Sequence, residues 1–306
     1  MPAALAALAF LAASVTTAQV TRDAPAYTAA TIVNAASNDP NALAPYTIIK
    51  IMGTNLAWDA ASMQPSDIRN SSIPTVLPNT GVRVYISNQR AGILSVSPTQ
   101  ITAVIPADML PGPALLWTTL DGIGGPAVAV NLNPFGPGMF AKDEGNLIVA
   151  RENGDLVTSD VPLSAGDKFV VHAVGLGASD PPLGALEIPP DAIGLDGGTT
   201  ILAYLNDNPI DPALISKVGL VAGQAALYQM TIQLPLDSPP NPELRIEANG
   251  YKSPAGFKIP VRRSPDPSGL RPNLFNPNLF NNVVVTLVPG LAIALAGLRG
   301  GVGAGY

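Results

Sequence analysis

Short runs of apolar and β-branched residues recur along most of the chain, and each is bounded by Gly, Pro, Asn or Ser. In residues 81–87, the apolar positions 82, 84 and 86 alternate with Arg83, Tyr85 and Ser87. This alternation is typical of a strand with one buried face. No stretch between residues 31 and 263 keeps a helical period over three turns. The pattern predicts an all-β fold, and the clearest strands of the first half are 46–53, 81–87, 100–106, 114–120 and 127–132.

The ends of these runs predict turns. Ser87, Asn88 and Gln89 are expected at the tip of a hairpin that follows the strand at 81–87. Segment 59–70 has room for one helical turn, which Pro65 is expected to interrupt. In TIVNAASNDP, residues 31–33 are expected to form the first strand. The small residues after them are expected to lead from this strand into a turn. Asn34 is therefore read as part of the fold and not as a catalytic candidate.

The strand pattern occurs twice. IIKIMGTNL at 48–56 resembles VVHAVGLGA at 170–178, and QITAVIP at 100–106 resembles QMTIQLP at 229–235. VRVYISNQ at 82–89 likewise parallels ILAYLNDN at 201–208. An offset of roughly 120 residues is too long for a solenoid unit and suits a sandwich of about 100 residues. The sequence predicts two tandem immunoglobulin-like β-sandwich domains, at 31–133 and 139–263.

Composition agrees with this prediction and excludes some functions. Charged residues make up 12% of the 306 residues, about half the usual share, whereas Gly 29 and Pro 32 supply many turns. The net charge of −6 argues against a nucleic-acid partner, because such a surface must neutralise phosphates. Cysteine is absent, so disulfides and thiolate chemistry are excluded.

Both ends of the chain have distinctive compositions. Residues 1–18 are Ala- and Leu-rich and end in small residues, which predicts a signal peptide; a buried N-terminal helix is the alternative. Residues 264–282 are rich in Pro and Asn and are expected to be a linker. The apolar tail, residues 283–306, has three open interpretations: membrane contact, packing on its own domain, or self-association by donating a strand to a neighbouring subunit.

Several separate motifs, in this order, resemble the Solibacter-type C-terminal domain family: VNAAS, the strand ending GTNL, SVSPTQITAVIP, GPGMFA, HAVGLG and LYQMTIQLP. These modules stand at the ends of secreted proteins, chiefly from acidobacteria, and resemble more distantly the immunoglobulin-like IPT/TIG domains. The likeness covers residues 31 to 263 and implies a secreted, immunoglobulin-like fold with no established catalytic residues. One departure is Tyr46, because the family usually has Gly there; a changed turn and an unchanged sheet are expected.

The sequence gives little indication of a catalytic site or a metal site. His172 is the only histidine, which excludes a site with several histidines, and no Gly-x-Ser-x-Gly motif accompanies it. The acidic and amide-rich segments 37–41, 142–146 and 206–211 lack the alternating Asp spacing of a calcium loop, so turns are the expected role. A hydrolase with paired carboxylates is the remaining enzymatic hypothesis. The sequence predicts a protein that is not an enzyme and has no cofactor.

Aromatic residues provide the candidate ligand contacts. They are 5% of the chain, and Trp58, Tyr85 and Trp117 are candidates for stacking on a sugar, although half-buried packing is the commoner role. The predicted function is a secreted or cell-surface structural or adhesive module. A carbohydrate-binding module and a subunit that self-assembles through residues 283–306 are the alternatives. The expected partner is an extracellular protein or polysaccharide, and the expected location is extracellular.

Overall fold

The structure, a computed structural model, describes residues 23–142 and 145–262. Within these two ranges all helical residues belong to short 3-10 turns, among them Ala29–Thr31, Pro65–Asp67 and Pro212–Leu214. In the same ranges, no helix has the length and apolar character that crossing a membrane requires. The predicted signal peptide (1–18), linker (264–282) and tail (283–306) lie outside the described residues, and the hypotheses about them stay predictions.

The first half of the described chain forms two antiparallel sheets. Sheet A has the strand order β1-β2-β7-β6-β3, and sheet B has the order β10-β8-β4-β5 with β9 paired to β8. The strands are β1 (Ile32–Asn34), β2 (Ile48–Met52), β3 (Ala61–Ser62), β4 (Val82–Ile86), β5 (Gln89–Arg90), β6 (Gly92–Ser97), β7 (Gln100–Val104), β8 (Gly112–Leu120), β9 (Ile123–Gly124) and β10 (Val128–Leu132).

The second half forms two further antiparallel sheets. Sheet C has the order β11-β13-β19-β18-β15-β14 with β12 paired to β13, and sheet D has the order β17-β16-β20-β21. The strands are β11 (Gly138–Met139), β12 (Val149–Arg151), β13 (Lys168–Val174), β14 (Ser179–Asp180), β15 (Ile193–Leu195), β16 (Ile201–Leu205), β17 (Asn208–Pro209), β18 (Ile215–Leu220), β19 (Tyr228–Gln233), β20 (Leu244–Ala248) and β21 (Tyr251–Lys252).

The two halves repeat one topology. Strands β2, β7 and β6 of sheet A occupy the same order as β13, β19 and β18 of sheet C, and β8-β4-β5 of sheet B corresponds to β20-β16-β17 of sheet D. The pairs that match in sequence therefore match in position. The predicted all-β fold of two tandem immunoglobulin-like sandwiches is confirmed. The exact boundaries 31–133 and 139–263 stay predictions.

Burial follows the alternation in the sequence. In β4 the residues at 82, 84 and 86 are fully buried, whereas Arg83 and Tyr85 point to the opposite face. Buried side chains from both halves form one connected core that runs from Tyr27 to Val261. The inner face of each sheet is thus covered by the core. The two halves differ in the side chains on their outer faces.

Three local predictions need correction. Pro65 begins the 3-10 helix Pro65–Asp67 and does not interrupt a helical turn, because its fixed φ and missing N–H suit a first helical position. Gln89 pairs with Ile86, so the hairpin tip contains only Ser87 and Asn88, with Ser87 at φ 50°. The first strand begins at Ile32, because Thr31 closes the preceding 3-10 turn by bonding back to Thr28.

Asn34 stabilises the connection between the two halves through hydrogen bonds. Its side chain is fully buried, and its amide donates hydrogen bonds of 2.9 Å to the carbonyl oxygens of Ala42 and Gly136. Its carbonyl oxygen accepts from the backbone N–H groups of Ala36 and Ser37, at 2.9 and 3.2 Å. Gly136 in turn donates its N–H to the oxygen of Gly175, 2.9 Å away. One side chain therefore links β1 to the connecting segment of the second half.

A second contact between the halves is made by residues 185–188, which lie against the first half. Ile73 donates its backbone N–H to the oxygen of Leu186, and Ile188 donates to the oxygen of Ser71, at 2.9 and 2.7 Å. Ala107 donates to the oxygen of Ala185 at 2.7 Å. These backbone hydrogen bonds span two separate segments of the first half, and they hold the halves in a fixed relation.

Tyr46 stands where the resembled family usually has glycine, and it adopts φ 52°, the left-handed conformation that glycine favours. Its ring is buried, and its hydroxyl donates to the backbone oxygen of Glu187 in the contact just described. Burial raises the pKa of Tyr46 to about 12. Burial also raises the pKa of Tyr228, whose hydroxyl donates to Gly177 O at 2.6 Å. Tyr46 thus fixes the turn and also contacts the second half.

The buried tyrosines predict a loss of stability in alkali. An unfolded tyrosine ionises near pH 10, so above that pH the unfolded chain loses protons that the folded chain retains. Stability that is complete below pH 10 should decline as the pH rises toward 12, by about 2 to 3 kcal/mol for Tyr46 alone. Urea unfolding between pH 8 and 12 measures this decline, which Tyr46→Phe should make shallower. The half-exposed Tyr251 is the control, and an equal effect of Tyr251→Phe would contradict the assignment.

Candidate functional site

The outer face of sheet B carries an aromatic pair. Tyr85 on β4 and Trp117 on β8 are directly opposite each other in the ladder, and both point away from the core. Their rings are stacked, with centroids 5.1 Å apart and planes 7° from parallel. Leu115, two residues along β8 on the same face, is 51% exposed. The structure therefore forms an apolar, aromatic surface on the side of the sheet that does not contact the core.

The two rings differ in which faces are covered. Arg90 on β5 pairs with Tyr85, and its guanidinium carbon lies 5.9 Å from the Tyr85 ring centroid. Tyr85 is thus flanked by Arg90 on one side and Trp117 on the other. Beyond Trp117 lie Ala127 and Ala129, both small and exposed, at and just before β10. Trp117 is the ring that remains accessible for stacking on a ligand.

Trp58 lies apart from this pair. It is 40% exposed in the loop after β2, and its indole N–H donates to Oδ2 of Asp121 at 2.8 Å. Among the described residues it makes no ring contact with Tyr85 or Trp117. The structure brings together two of the three sequence-predicted contact residues and places the third at the turn after β8.

A groove lined with amide groups lies beside the aromatic pair, along the edge strand β10. It encloses about 340 Å³ and is lined by Ala129, Asn131, Asn133 and Asn41, among others. Asn131 donates to Asn133 Oδ1 at 3.0 Å, and Asn133 donates to Asn41 O at 2.6 Å. Ala129 in the groove lining pairs with Leu115, two residues from Trp117 along β8, so the near end of the groove lies about 7 Å along the strand from Trp117. Amides both donate and accept, which suits recognition of hydroxyl groups.

Two arginines lie on the same face. Arg83 on β4 lies on the same side as Tyr85, and Arg90 flanks the tyrosine ring. The strands of sheet B contain no Asp or Glu. The nearest acidic residue along β8 is Asp121, whose carboxylate accepts the Trp58 hydrogen bond. In a chain with net charge −6, this face is a local exception.

The equivalent face of sheet D has a different chemistry. Tyr204 corresponds to Tyr85, and its ladder partner is Arg245 where sheet B has Trp117. Arg245 forms an ion pair with Asp207 at 3.1 Å. Lys252 lies 3.6 Å from a carboxylate oxygen of Glu247 and 4.4 Å from the Tyr204 ring centroid. The charges of this second face are matched internally.

A cleft between the halves is another concave feature of the described residues. It encloses about 250 Å³ and is lined mostly by Pro, Met, Leu and aromatic side chains, including Tyr46, Met109, Phe135 and Tyr228. Both tyrosine hydroxyls are already bonded to backbone oxygens. The volume is below the roughly 300 to 1,000 Å³ that ligand pockets usually have. The cleft is therefore better explained as imperfect packing of the junction.

The other sequence candidates occupy structural positions. His172 lies half-buried in β13 opposite Gln229, and burial lowers the pKa of its imidazole. In the ranges that the structure describes, no three His, Cys, Asp or Glu residues are grouped in a way that could hold a metal ion. In segment 206–211, Asp211 accepts a bond from Ala213 N at 2.9 Å and begins the 3-10 helix Pro212–Leu214.

Arg83, Arg90 and Leu115 join the candidate site although the sequence analysis did not single them out. The signal for Arg83 was present, because alternation in β4 places it on the same side as Tyr85. For Arg90 the hairpin provides the signal, since a two-residue tip sets it opposite Tyr85. Leu115 gives no such signal, because the apolar run that contains it does not alternate.

No family model matches the chain, and no curated protein matches it. The resemblance to the Solibacter-type family therefore stays a prediction.

Solved structures show some similarity to the chain. A surface glycan-binding protein from Prevotella bryantii is 9% identical, with a TM-score of 0.23, over 71% of this chain and 37% of that one. One from the mixed-linkage glucan utilization locus of Bacteroides ovatus is 8% identical, with a TM-score of 0.29, over 73% and 43%. The tandem immunoglobulin repeats of Dlar are 9% identical, with a TM-score of 0.20, over 79% and 96%. The chain thus spans less than half of both glycan-binding proteins, and scores this low carry no functional inference.

Proposed function

We propose that the protein is a secreted or cell-surface, non-enzymatic adhesive module that binds polysaccharide through the outer face of sheet B. The observation that carries this proposal is the stacked pair of Tyr85 and Trp117 beside the half-exposed Leu115. Contiguous apolar and aromatic surface outside a core commonly marks a binding site. A sugar ring offers an apolar face for stacking and hydroxyl groups for hydrogen bonds, which this surface and the neighbouring Asn groove match.

The junction of the halves supports a structural and adhesive role. Asn34, the Gly136–Gly175 hydrogen bond and the backbone contacts of residues 185–188 hold two sandwiches as one unit. The tyrosines with the most strongly raised pKa values, Tyr46 and Tyr228, donate to backbone oxygens in the interior. Their perturbation therefore accompanies packing and not a reactive cleft. A fixed pair of sandwiches presents the Trp117 face in a constant orientation.

Replacing Trp117 with alanine should weaken binding to polysaccharide at least tenfold, about 1.4 kcal/mol or more, because it removes the accessible ring of the pair. Retention of the full chain on a panel of insoluble and soluble polysaccharides, by pull-down and affinity electrophoresis, measures this effect. Trp58→Ala is the matched control, since Trp58 makes no ring contact with the pair. We expect it to bind as the unaltered protein does.

The proposal fails if the full chain is retained on no polysaccharide of the panel, or if Trp58→Ala and Trp117→Ala weaken binding equally. Thermal unfolding of each variant shows whether a lost interaction reflects a lost fold. Trp117 is only half-buried on an outer face, so its replacement should leave the core intact.

A further inference from the structure

We propose that the polysaccharide bound by sheet B is anionic and carries uronic acid carboxylates that pair with Arg83 and Arg90. This inference rests on the proposed function and specifies its ligand class. The two arginines lie on the outer face that holds the Tyr85–Trp117 pair. Arginine is the side chain best suited to a carboxylate, because its planar guanidinium donates two parallel hydrogen bonds.

The first step is that neither arginine forms an ion pair within the described residues. Among the residues that the structure describes, the ion pairs involve Arg151, Lys217, Arg245 and Lys252, and neither Arg83 nor Arg90 takes part. No strand of sheet B contributes an acidic side chain. The face therefore has positive charge that a ligand can neutralise.

The second step is the position of the two charges around the aromatic pair. Arg90 lies over the ring of Tyr85, and Arg83 lies two residues along β4, about 7 Å from Tyr85 on the same face. A chain of sugars that stacks on Trp117 and continues across β4 would pass both guanidinium groups. Carboxylates on successive sugar rings would then lie within reach of separate arginines.

The third step is the internal comparison with sheet D. At the equivalent face, Arg245 pairs with Asp207 and Lys252 pairs with Glu247. The repeated fold thus tolerates cations on this face together with acidic partners. Sheet B instead combines unpaired arginines with Trp117, in the position that Arg245 occupies in sheet D. The fold itself does not require unpaired arginines beside an exposed aromatic ring, because sheet D lacks this combination. Binding of an anionic ligand accounts for its presence in sheet B.

The test compares binding of the full chain to polygalacturonate and to the same polymer after full methyl esterification, which removes the charge and keeps the sugar backbone. We expect at least tenfold tighter binding to the free acid, and weaker binding as salt rises from 0.05 to 0.5 M, because exposed charges are screened. Arg83→Gln and Arg90→Gln should each reduce affinity for the acid by about threefold to tenfold. Binding to the ester should fall by less than binding to the acid in both variants, because the ester offers the arginines no carboxylate charge.

Lys252→Gln is the matched control, because it removes one positive charge from the equivalent face of sheet D. Equal binding of acid and ester, with Trp117→Ala still reducing both, would overturn the anionic ligand and leave the proposed function standing. If neither polymer binds and no other polysaccharide is retained, the proposed function itself fails. Equally tight binding of a single-stranded oligonucleotide would overturn the inference in favour of a general polyanion surface. A Lys252→Gln effect as large as that of Arg90→Gln would also overturn it.

Discussion

Replacing Asn34 with alanine is expected to lower the free energy of unfolding by about 3 to 5 kcal/mol. The side chain is fully buried and uses all four of its hydrogen-bonding positions. Alanine would leave the oxygens of Ala42 and Gly136 without these donors in a region that excludes water. An unsatisfied buried polar group costs about 1 to 3 kcal/mol, and several would be created together. Chemical denaturation followed by circular dichroism measures the change.

Two further variants make this prediction specific. Asn34→Asp keeps the acceptor for Ala36 and Ser37 but replaces both donors, placing a carboxylate against two carbonyl oxygens, so it should destabilise at least as much as alanine. Asn131→Ala is the control, because the hydrogen bond from its side-chain amide to Asn133 is on the surface. Surface substitutions usually change the free energy of unfolding by no more than about 0.5 kcal/mol. A loss below 1 kcal/mol in Asn34→Ala would mean that the halves are held together without this residue.

Replacing Gly175 with alanine should cost about 3 kcal/mol or more. A Cβ there would lie 2.1 Å from the carbonyl oxygen of Gly136, and the backbone has φ 72°. The added carbon would push apart the two segments that the Gly136–Gly175 hydrogen bond joins. The shift of the unfolding midpoint in denaturant measures this effect at constant slope.

Gly223→Ala separates the close contact from the backbone conformation. Its φ is 69°, nearly that of Gly175, but a Cβ there would meet nothing within 4 Å. Only the left-handed conformation is penalised, at about 1 to 2 kcal/mol. Equal losses in the two variants would show that the approach of Gly136 to Gly175 adds nothing. Since Asn34 and Gly175 both act on Gly136, their double variant should lose less than the sum of the single losses.

The strands could be predicted from the sequence because their signal is local. Val82, Val84 and Ile86 alternate with polar neighbours, and the structure buries those three positions. The alternation also placed Arg83 on the same face as Tyr85. What local pattern cannot give is the register between distant strands. Tyr85 meets Trp117 because β4 pairs with β8, and that pairing is set by packing of the whole sandwich.

The contacts between the two halves could not be predicted from the sequence for a related reason. Asn34 lies among small residues that are typical of a turn, and two of its four hydrogen bonds depend on segments brought close by folding. Residues 185–188 form their hydrogen bonds to the first half through backbone atoms, and the buried apolar side chains of Leu186 and Ile188 do not identify which segment they pack on. Tyr46 was noted as a departure from the resembled family. Its left-handed φ and its bond to Glu187 connect that departure to the junction.

The contacts of residues 185–188 also have a mechanical consequence. They join the second half to two separate places on the first, near Ile73 and at Ala107. A pull on the two ends of the described chain must therefore break several hydrogen bonds together before the halves can separate. Two sandwiches joined only by a linker would yield one after the other, in series. This pair should therefore show a rupture of the junction under force that two sandwiches joined only by a linker lack.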